Sequence, residues 1–350
     1  MHMANELLSV PVAGATLAIA GGALGFVCRK MRKIISSQQF ALMGIMGAFV
    51  FAAQMVNFRL PAMPGTSGHL VGAVLLAIVL GPTLGTIVIS SVVIIQCLIF
   101  QDGGLLALGC NIINMGIVPC YAGYYIYNAV KSNSSQAWRT YVGAVVACIV
   151  ALELGAALVP IEAALSGVLM VPLATFMWTM LGVHAIVGTI EGVITAAVLG
   201  YLQQVRPDII RGSLPGKVRF SIPATIASLL IVTVIVAAGL SLLASDKPDG
   251  LEWSYAERPD AENFESYIAN DGKAIEQVDA FQEKYSLMPD YSKRNSGLGK
   301  PALEETESAA GWTSLAGLAG AGLTMLFIWL VAHIVRKKSP DKEKADIITY

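Results

Sequence analysis

Apolar residues run through this 350-residue chain in long blocks separated by short polar breaks, not in the three-to-four-residue rhythm of a helix half immersed in water. A helix needs roughly 17–25 apolar residues to cross a hydrocarbon core of about 30 Å. On that length the blocks predict nine transmembrane helices, at about residues 11–28, 40–57, 68–80, 83–100, 106–130, 140–159, 173–204, 220–243 and 312–335. The third is short and is closed by Gly81-Pro82, which predicts a re-entrant or broken element in place of a full crossing. The fold class is therefore all-α, a polytopic membrane protein.

Composition agrees with this reading. Apolar residues make up 55% of the chain and charged residues 13%, about half the charged share of a soluble domain. Charge then sets the topology. Arg29, Lys30, Arg32 and Lys33 follow the first block, and further basic residues recur at Lys131 and Arg139, at Arg206, Arg211, Lys217 and Arg219, and at Arg336, Lys337 and Lys338. Nine alternating crossings place all of these on one side, while the short loops of the other side carry only Arg59. The positive-inside rule then predicts a cell-membrane protein with its N-terminus outside and its C-terminus in the cytoplasm. Residues 1–10 hold no Lys or Arg, so a cleaved signal peptide is not expected and the N-terminus should be retained. The five cysteines lie in or beside apolar blocks without C-x-x-C spacing and read as buried thiols.

Residues 244–311 break the pattern, with fifteen acidic residues against seven basic ones, and read as a solvated outside loop in which 261–287 can form one or two helices. A basic linker over 205–219, with Pro207, Pro215 and Gly216, separates seven spans (1–204) from a two-span hairpin with a cytoplasmic tail (220–350). No phosphate-binding G-x-x-x-x-G-K-[ST] loop is present, since Gly297–Lys300 runs into Pro301. The chain is accordingly read as a non-enzyme without an organic cofactor, and any ATP hydrolysis falls to separate chains. Nothing in the charge pattern suggests a nucleic-acid partner.

Candidate chemistry begins at the first residue. The chain opens Met1-His2-Met3, and Thr66-Ser67-Gly68-His69 falls at an outer membrane boundary. A free amine, the amide nitrogen of residue 2 and the His2 imidazole close a five- and a six-membered chelate ring around one ion, and a second imidazole, that of His69, completes four nitrogens. Four nitrogens in a plane suit Ni2+ or Cu2+, whereas Zn2+ prefers a tetrahedron and Mg2+ or Ca2+ prefer oxygen. The alternative is a free terminal histidine and a hydrogen-bonded helix cap, because spacing alone does not bring positions 2 and 69 together.

The motifs Met1-His2-Met3, PAMPGTSGHLVGAVLLAIVLGP (61–82), DGGLLALGCNIINMG (102–116) and HAIVGTIEGVITA (184–196) resemble the NikM/CbiM substrate-capture components of energy-coupling-factor nickel and cobalt transporters. The resemblance covers the first seven spans. It implies a metal held by the Met1 amine, the amide and side chain of His2, and His69, with Ni2+ as substrate and Co2+ as the alternative. The TSGH form is closer to the nickel branch. It also implies a separate transmembrane coupling subunit and cytoplasmic ATPase subunits as partners. Where the family often has an acidic residue followed by Gly, this chain has Ala4-Asn5-Glu6. Residues 220–350 resemble the companion subunit NikN/CbiN, through Pro248-Asp249-Gly250-Leu251-Glu252, so the chain looks like a fusion of the two.

Four further groups each carry two readings. Thr66, Ser67, Asn111 and Asn114 can orient the ligands from behind. Gly14, Ala18 and Gly22 form a small-residue ridge that suits either a partner subunit or packing within the chain. His184 and Glu191, seven residues apart on one helix face, and Glu153 are ionisable groups inside a membrane. They are either a metal path, as a stand-alone secondary transporter or channel would use, or satisfied packing residues.

Overall fold

In the computed structural model the described residues are 1–60, 63, 65–132, 136–210, 218–256, 264–270, 272–292 and 306–337. The middle of the predicted linker (211–217, with Arg211, Pro215, Gly216 and Lys217), the loop stretches 257–263 and 293–305, and the tail from Lys338 lie outside them. Helices occupy all nine predicted positions. They are α1 (Val10–Ile34), α2 (Ser37–Gln54), α3 (Ala73–Leu80), α4 (Pro82–Ile95), α5 (Leu108–Asn111) leading into α6 (Val118–Lys131), α7 (Ala137–Ser166), α8 (Leu173–Val205), α9 (Ile222–Ala238) and α12 (Thr306–Lys337). Two short helices, α10 (Gly250–Tyr255) and α11 (Lys273–Tyr285), lie between the last two spans. Among the described residues six helical stretches are long and apolar enough to cross a membrane, with a shorter apolar helix over Gln38–Gln54. The chain is an all-α, multi-pass membrane protein.

Local chemistry explains several boundaries. Ser36 and Gln39 form a reciprocal capping box that starts α2. Ser221 caps α9, followed by Pro223 in its first turn. The predicted break of the third span is sharp. Gly81 adopts φ 86°, a conformation that suits glycine, and leaves α3 with eight residues, all of them buried. Because α3 is apolar on every side it belongs in the middle of the bundle, where it packs on α4 and α6. The chain winds more loosely at two places, Gln96–Phe100 after α4 and Ile112–Ile117 between α5 and α6, both π-helical. Such turns recur at functional sites.

The loops that alternation places on the N-terminal side do gather at one end. Gly104 N–H donates to Met3 O at 2.8 Å, Ser67 N–H to Pro248 O at 2.8 Å, Met170 N–H to Tyr267 O at 2.8 Å, and Leu287 N–H to Ile99 O at 3.0 Å. One expectation is corrected here. The expected solvated loop 244–311 is partly packed among its described residues, since Leu251, Trp253 and Tyr255 are buried and Gln282 is 5% exposed. Acidic composition hid this, because the described part of the segment buries some of its apolar and amide side chains, such as Leu251, Trp253 and Gln282, while most of its charges stay outward.

Candidate metal centre

The N-terminal segment is held by a set of hydrogen bonds that begins with its own backbone. Met3 N–H donates to Asn111 Oδ1 at 2.7 Å, and Asn111 Nδ2 returns a bond to Met3 O at 3.2 Å. Asn5 Oδ1 accepts from Leu106 N–H at 2.8 Å, while its amide reaches Asp279 and Gln282. Glu6 accepts from the Tyr255 hydroxyl at 2.8 Å, and Asn270 donates to the carbonyls of Glu6 and Leu8 at 3.0 Å each. Met1, Met3, Leu7 and Leu8 are all buried. Gly104 is needed for this fit: a β-carbon there would stand 2.3 Å from Asn5 Oδ1 and 2.5 Å from Asn5 N.

This docking carries the Met1 amine to 3.0 Å from His69 Nε2. With metal–nitrogen bonds of about 2.0 Å, adjacent donors of a square plane sit about 2.8 Å apart. The His2 and His69 rings stack with centroids 5.2 Å apart. His69 sits just beyond a two-residue hairpin, Phe58–Arg59 against Ser67–Gly68. Its Nδ1 lies 3.0 Å from Leu70 O, which can only accept, so Nδ1 carries the hydrogen and Nε2 presents its lone pair to the amine.

The tautomer of His2 follows from a relay of amides. Val71 O accepts from Gln54 Nε2 at 2.7 Å, and Gln54 Oε1 accepts from Gln96 Nε2 at 2.7 Å. Gln96 Oε1 therefore faces His2 Nε2, at 3.1 Å, and that nitrogen must donate. The lone pair is left on Nδ1, the nitrogen able to close a six-membered ring, and it faces Asp102 Oδ1 at 3.1 Å. Burial lowers the His2 pKa to about 4; Asp102 opposes the shift, and His69 and the terminal amine add to it. Two acceptors thus meet across a gap that suits a cation.

Asp249 is the residue that sequence reasoning missed. Its Oδ1 caps α10 by accepting from Leu251 and Glu252 N–H at 2.8 Å each, and its Oδ2 lies 3.0 Å from the Met1 amine and 3.5 Å from His69 Nε2. Burial by itself raises its pKa, yet the terminal ammonium beside it holds the carboxyl well below the usual range. Asp102, Gln96 and Gln54 were missed as well. Asp102 and Asp249 do stand inside the quoted DGG and PDGLE motifs, but the two glutamines lie in apolar runs without a local signal. A cavity of about 610 Å3 opens onto this group, lined by Glu6, Asp102, Asp249, Glu252, Asp279 and Asp290 among others, and Lys247 is its one basic side chain among the described residues. Such walls attract cations.

The other predicted residues fall into separate places. Thr66 and Ser67 hold the turn before Asp249, through Pro248 O and Lys247 O. Asn114 donates to Glu162 at 2.7 Å and touches Met3 Sδ at 3.5 Å. Glu191 accepts from Val71 and Gly72 N–H at 2.6 and 3.1 Å, which anchors the start of α3 two residues past His69. His184 bonds Met180 O within its own helix and borders a narrow cleft with Met1 and His69. Glu153 is half-buried on α7, with Oε1 unpartnered. Gly14, Ala18 and Gly22 lie exposed on α1, and nothing from the rest of the chain stands within 4 Å of where β-carbons of the two glycines would be.

A family model described as cobalt uptake substrate-specific transmembrane region matches residues 2–209. The chain belongs to this family. A second model, the PDGLE domain, matches residues 224–337, so the chain joins a NikM/CbiM-type region to a NikN-like one. An Archaeoglobus fulgidus protein named as a fused nickel transport protein, NikMN, is 35% identical over 71% of this chain and 80% of its own length. The fused nickel transport protein NikMN of Rhodobacter capsulatus is 26% identical over 60% of this chain and 64% of its own. A Methanococcus voltae protein named as the cobalt transport protein CbiM is 27% identical over 60% and 94%. A crystal structure of a transition metal transporter aligns with TM-score 0.51 and 30% identity over 58% of this chain and 93% of that one. This member of the cobalt-uptake family is a nickel or cobalt transport component of a membrane. Asp249 lies in its PDGLE region and Met1 at the edge of the other, so the ion pair between them joins the two matched segments.

Proposed function

We propose that the chain captures Ni2+, in preference to Co2+, outside the cell, and hands it to the membrane coupling subunit and ATPase subunits of an energy-coupling-factor uptake transporter. The donors are the Met1 amine, the amide nitrogen and Nδ1 of His2, and Nε2 of His69. One observation carries this reading: an N-terminal amine 3.0 Å from a histidine nitrogen whose other ring nitrogen is already engaged.

A planar four-nitrogen set favours nickel over ions that prefer oxygen or a tetrahedron. Asp249 holds the amine in the metal-free chain, so residues 220–350 take part in loading the site of residues 1–204 across the linker 205–219. Orientation with the N-terminus outside follows the positive-inside rule. Titration of the purified chain, starting at Met1, with Ni2+ and Co2+ tests the reading. Tight binding of Ni2+ that His69→Ala abolishes is expected; equal affinity in wild type and His69→Ala overturns the site, and tighter Co2+ binding overturns the ion.

A further inference from the structure

Helix α11 carries large apolar side chains on an exposed side as well as a buried one. Its inner face holds Ile275, Gln282 and, one residue past its end, Ser286, at 7%, 5% and 1% exposure, whereas Phe281, Tyr285 and Leu287 are 54%, 57% and 64% exposed. The inward polar residues are fully employed. Gln282 donates to Cys97 O at 3.1 Å and Gly103 O at 2.7 Å, and accepts from Leu105 N–H at 3.0 Å, so this face ties α11 to the loop under the N-terminal segment. The outward residues form a continuous apolar patch. Phe281 and Tyr285, one helical turn apart, have ring centroids 4.5 Å apart, and the Lys284 ammonium stands 5.4 Å from the Tyr285 ring.

Exposed aromatic patches of this kind mark a contact surface. Position identifies the occupant. The N–H groups of Leu287 and Met288 both donate to Ile99 O at 3.0 Å, at the end of the span Pro82–Phe100, where Leu98 of the same turn is 46% exposed. The exposed residues of α11 therefore stand beside the end of a membrane span, close to its exposed Leu98. Tyrosine beside a lysine is a pairing suited to the headgroup layer.

We propose that α11 lies on the bilayer interface, with Phe281, Tyr285 and Leu287 inserted among lipid headgroups and upper acyl chains. The membrane surface then serves as one wall of the metal vestibule, because the helix resting on it also carries Gln282, three residues before Tyr285, into the site. This inference depends on the spans alone and not on the identity of the ion.

The test uses the full chain in phosphatidylcholine vesicles. An environment-sensitive fluorophore is attached at Phe281→Cys and, as the polar-side control, at Glu276→Cys, with the unsubstituted chain as labelling blank. The label at 281 should emit to the blue of the label at 276 and be quenched by lipid bearing a nitroxide near the headgroup, while aqueous iodide quenches 276 more strongly. Equal iodide quenching at both positions overturns the proposal. Protection of 281 from both quenchers also overturns it, since a second copy of the chain would then cover the patch. Leu287→Cys provides the same readout where Phe281→Cys fails to fold.

Discussion

Residues 1–9 and residues 244–292 reach the same place by opposite routes. The first segment is apolar, nearly uncharged and buried, held by side chains of the membrane bundle such as Asn111. The second is acidic and keeps most of its charge at the surface, yet sends Asp249, Tyr255, Asn270 and Gln282 inward to hold the first. Neither segment makes the site alone. In the proposed site the terminal segment and the hairpin loop supply the donor nitrogens, and the acidic segment brings the Asp249 carboxylate to 3.0 Å from the amine.

The strongest way to break this comparison is to block the amine. Acetylating the Met1 amine takes it out of the donor set and opens the five-membered chelate ring, so Ni2+ affinity should fall by more than the 10–100-fold typical of losing an outer partner; calorimetric titration with unchanged affinity would sink the nitrogen-plane reading. Acid comes next, acting on the first segment through His2. Free His2 takes up a proton near pH 6.5, but docked His2 only near 4. Docking of the metal-free segment is thus at full strength above about 6.5 and weakens by about 1.4 kcal/mol per unit down to about 4, roughly 3 kcal/mol in all. Asp249, with its lowered pKa, adds its own loss in the same direction only below the ordinary carboxylate range. Hydrogen exchange of residues 1–9 against pH measures this, and a flat profile contradicts it.

Asp249→Asn tests the second segment. Removing the charge that holds the amine should weaken Ni2+ binding by about 10–100-fold, with the bundle's melting temperature little changed; full affinity would reduce Asp249 to a helix cap. The smallest effect comes from exchanging single anchors on either side. Asn111→Ala strands the buried Met3 N–H and Gln282→Leu the part-buried Leu105 N–H, and leaving such a donor without its partner costs about 1–3 kcal/mol, less at the second site. Similar losses of affinity in both variants sharpen the picture of two equal holders. A loss confined to Asn111→Ala would return the acidic segment to a bystander.

The sequence by itself determined the membrane class, the positions of the helices, the break at Gly81, the two-part organisation carried by recognisable motifs and the candidates Met1, His2 and His69. Those properties depend on length, hydropathy and chelate geometry within a few bonds, all local to the chain. Tertiary structure alone decided that position 69 meets position 1, that Gln54 and Gln96 set the His2 tautomer, and that Asp249, 248 residues from the amine, pairs with it. It also decided that α11 turns its aromatic residues outward. Each of these is a contact between segments far apart in sequence, and hydropathy records how apolar a residue is without recording which neighbour or which solvent its face will meet.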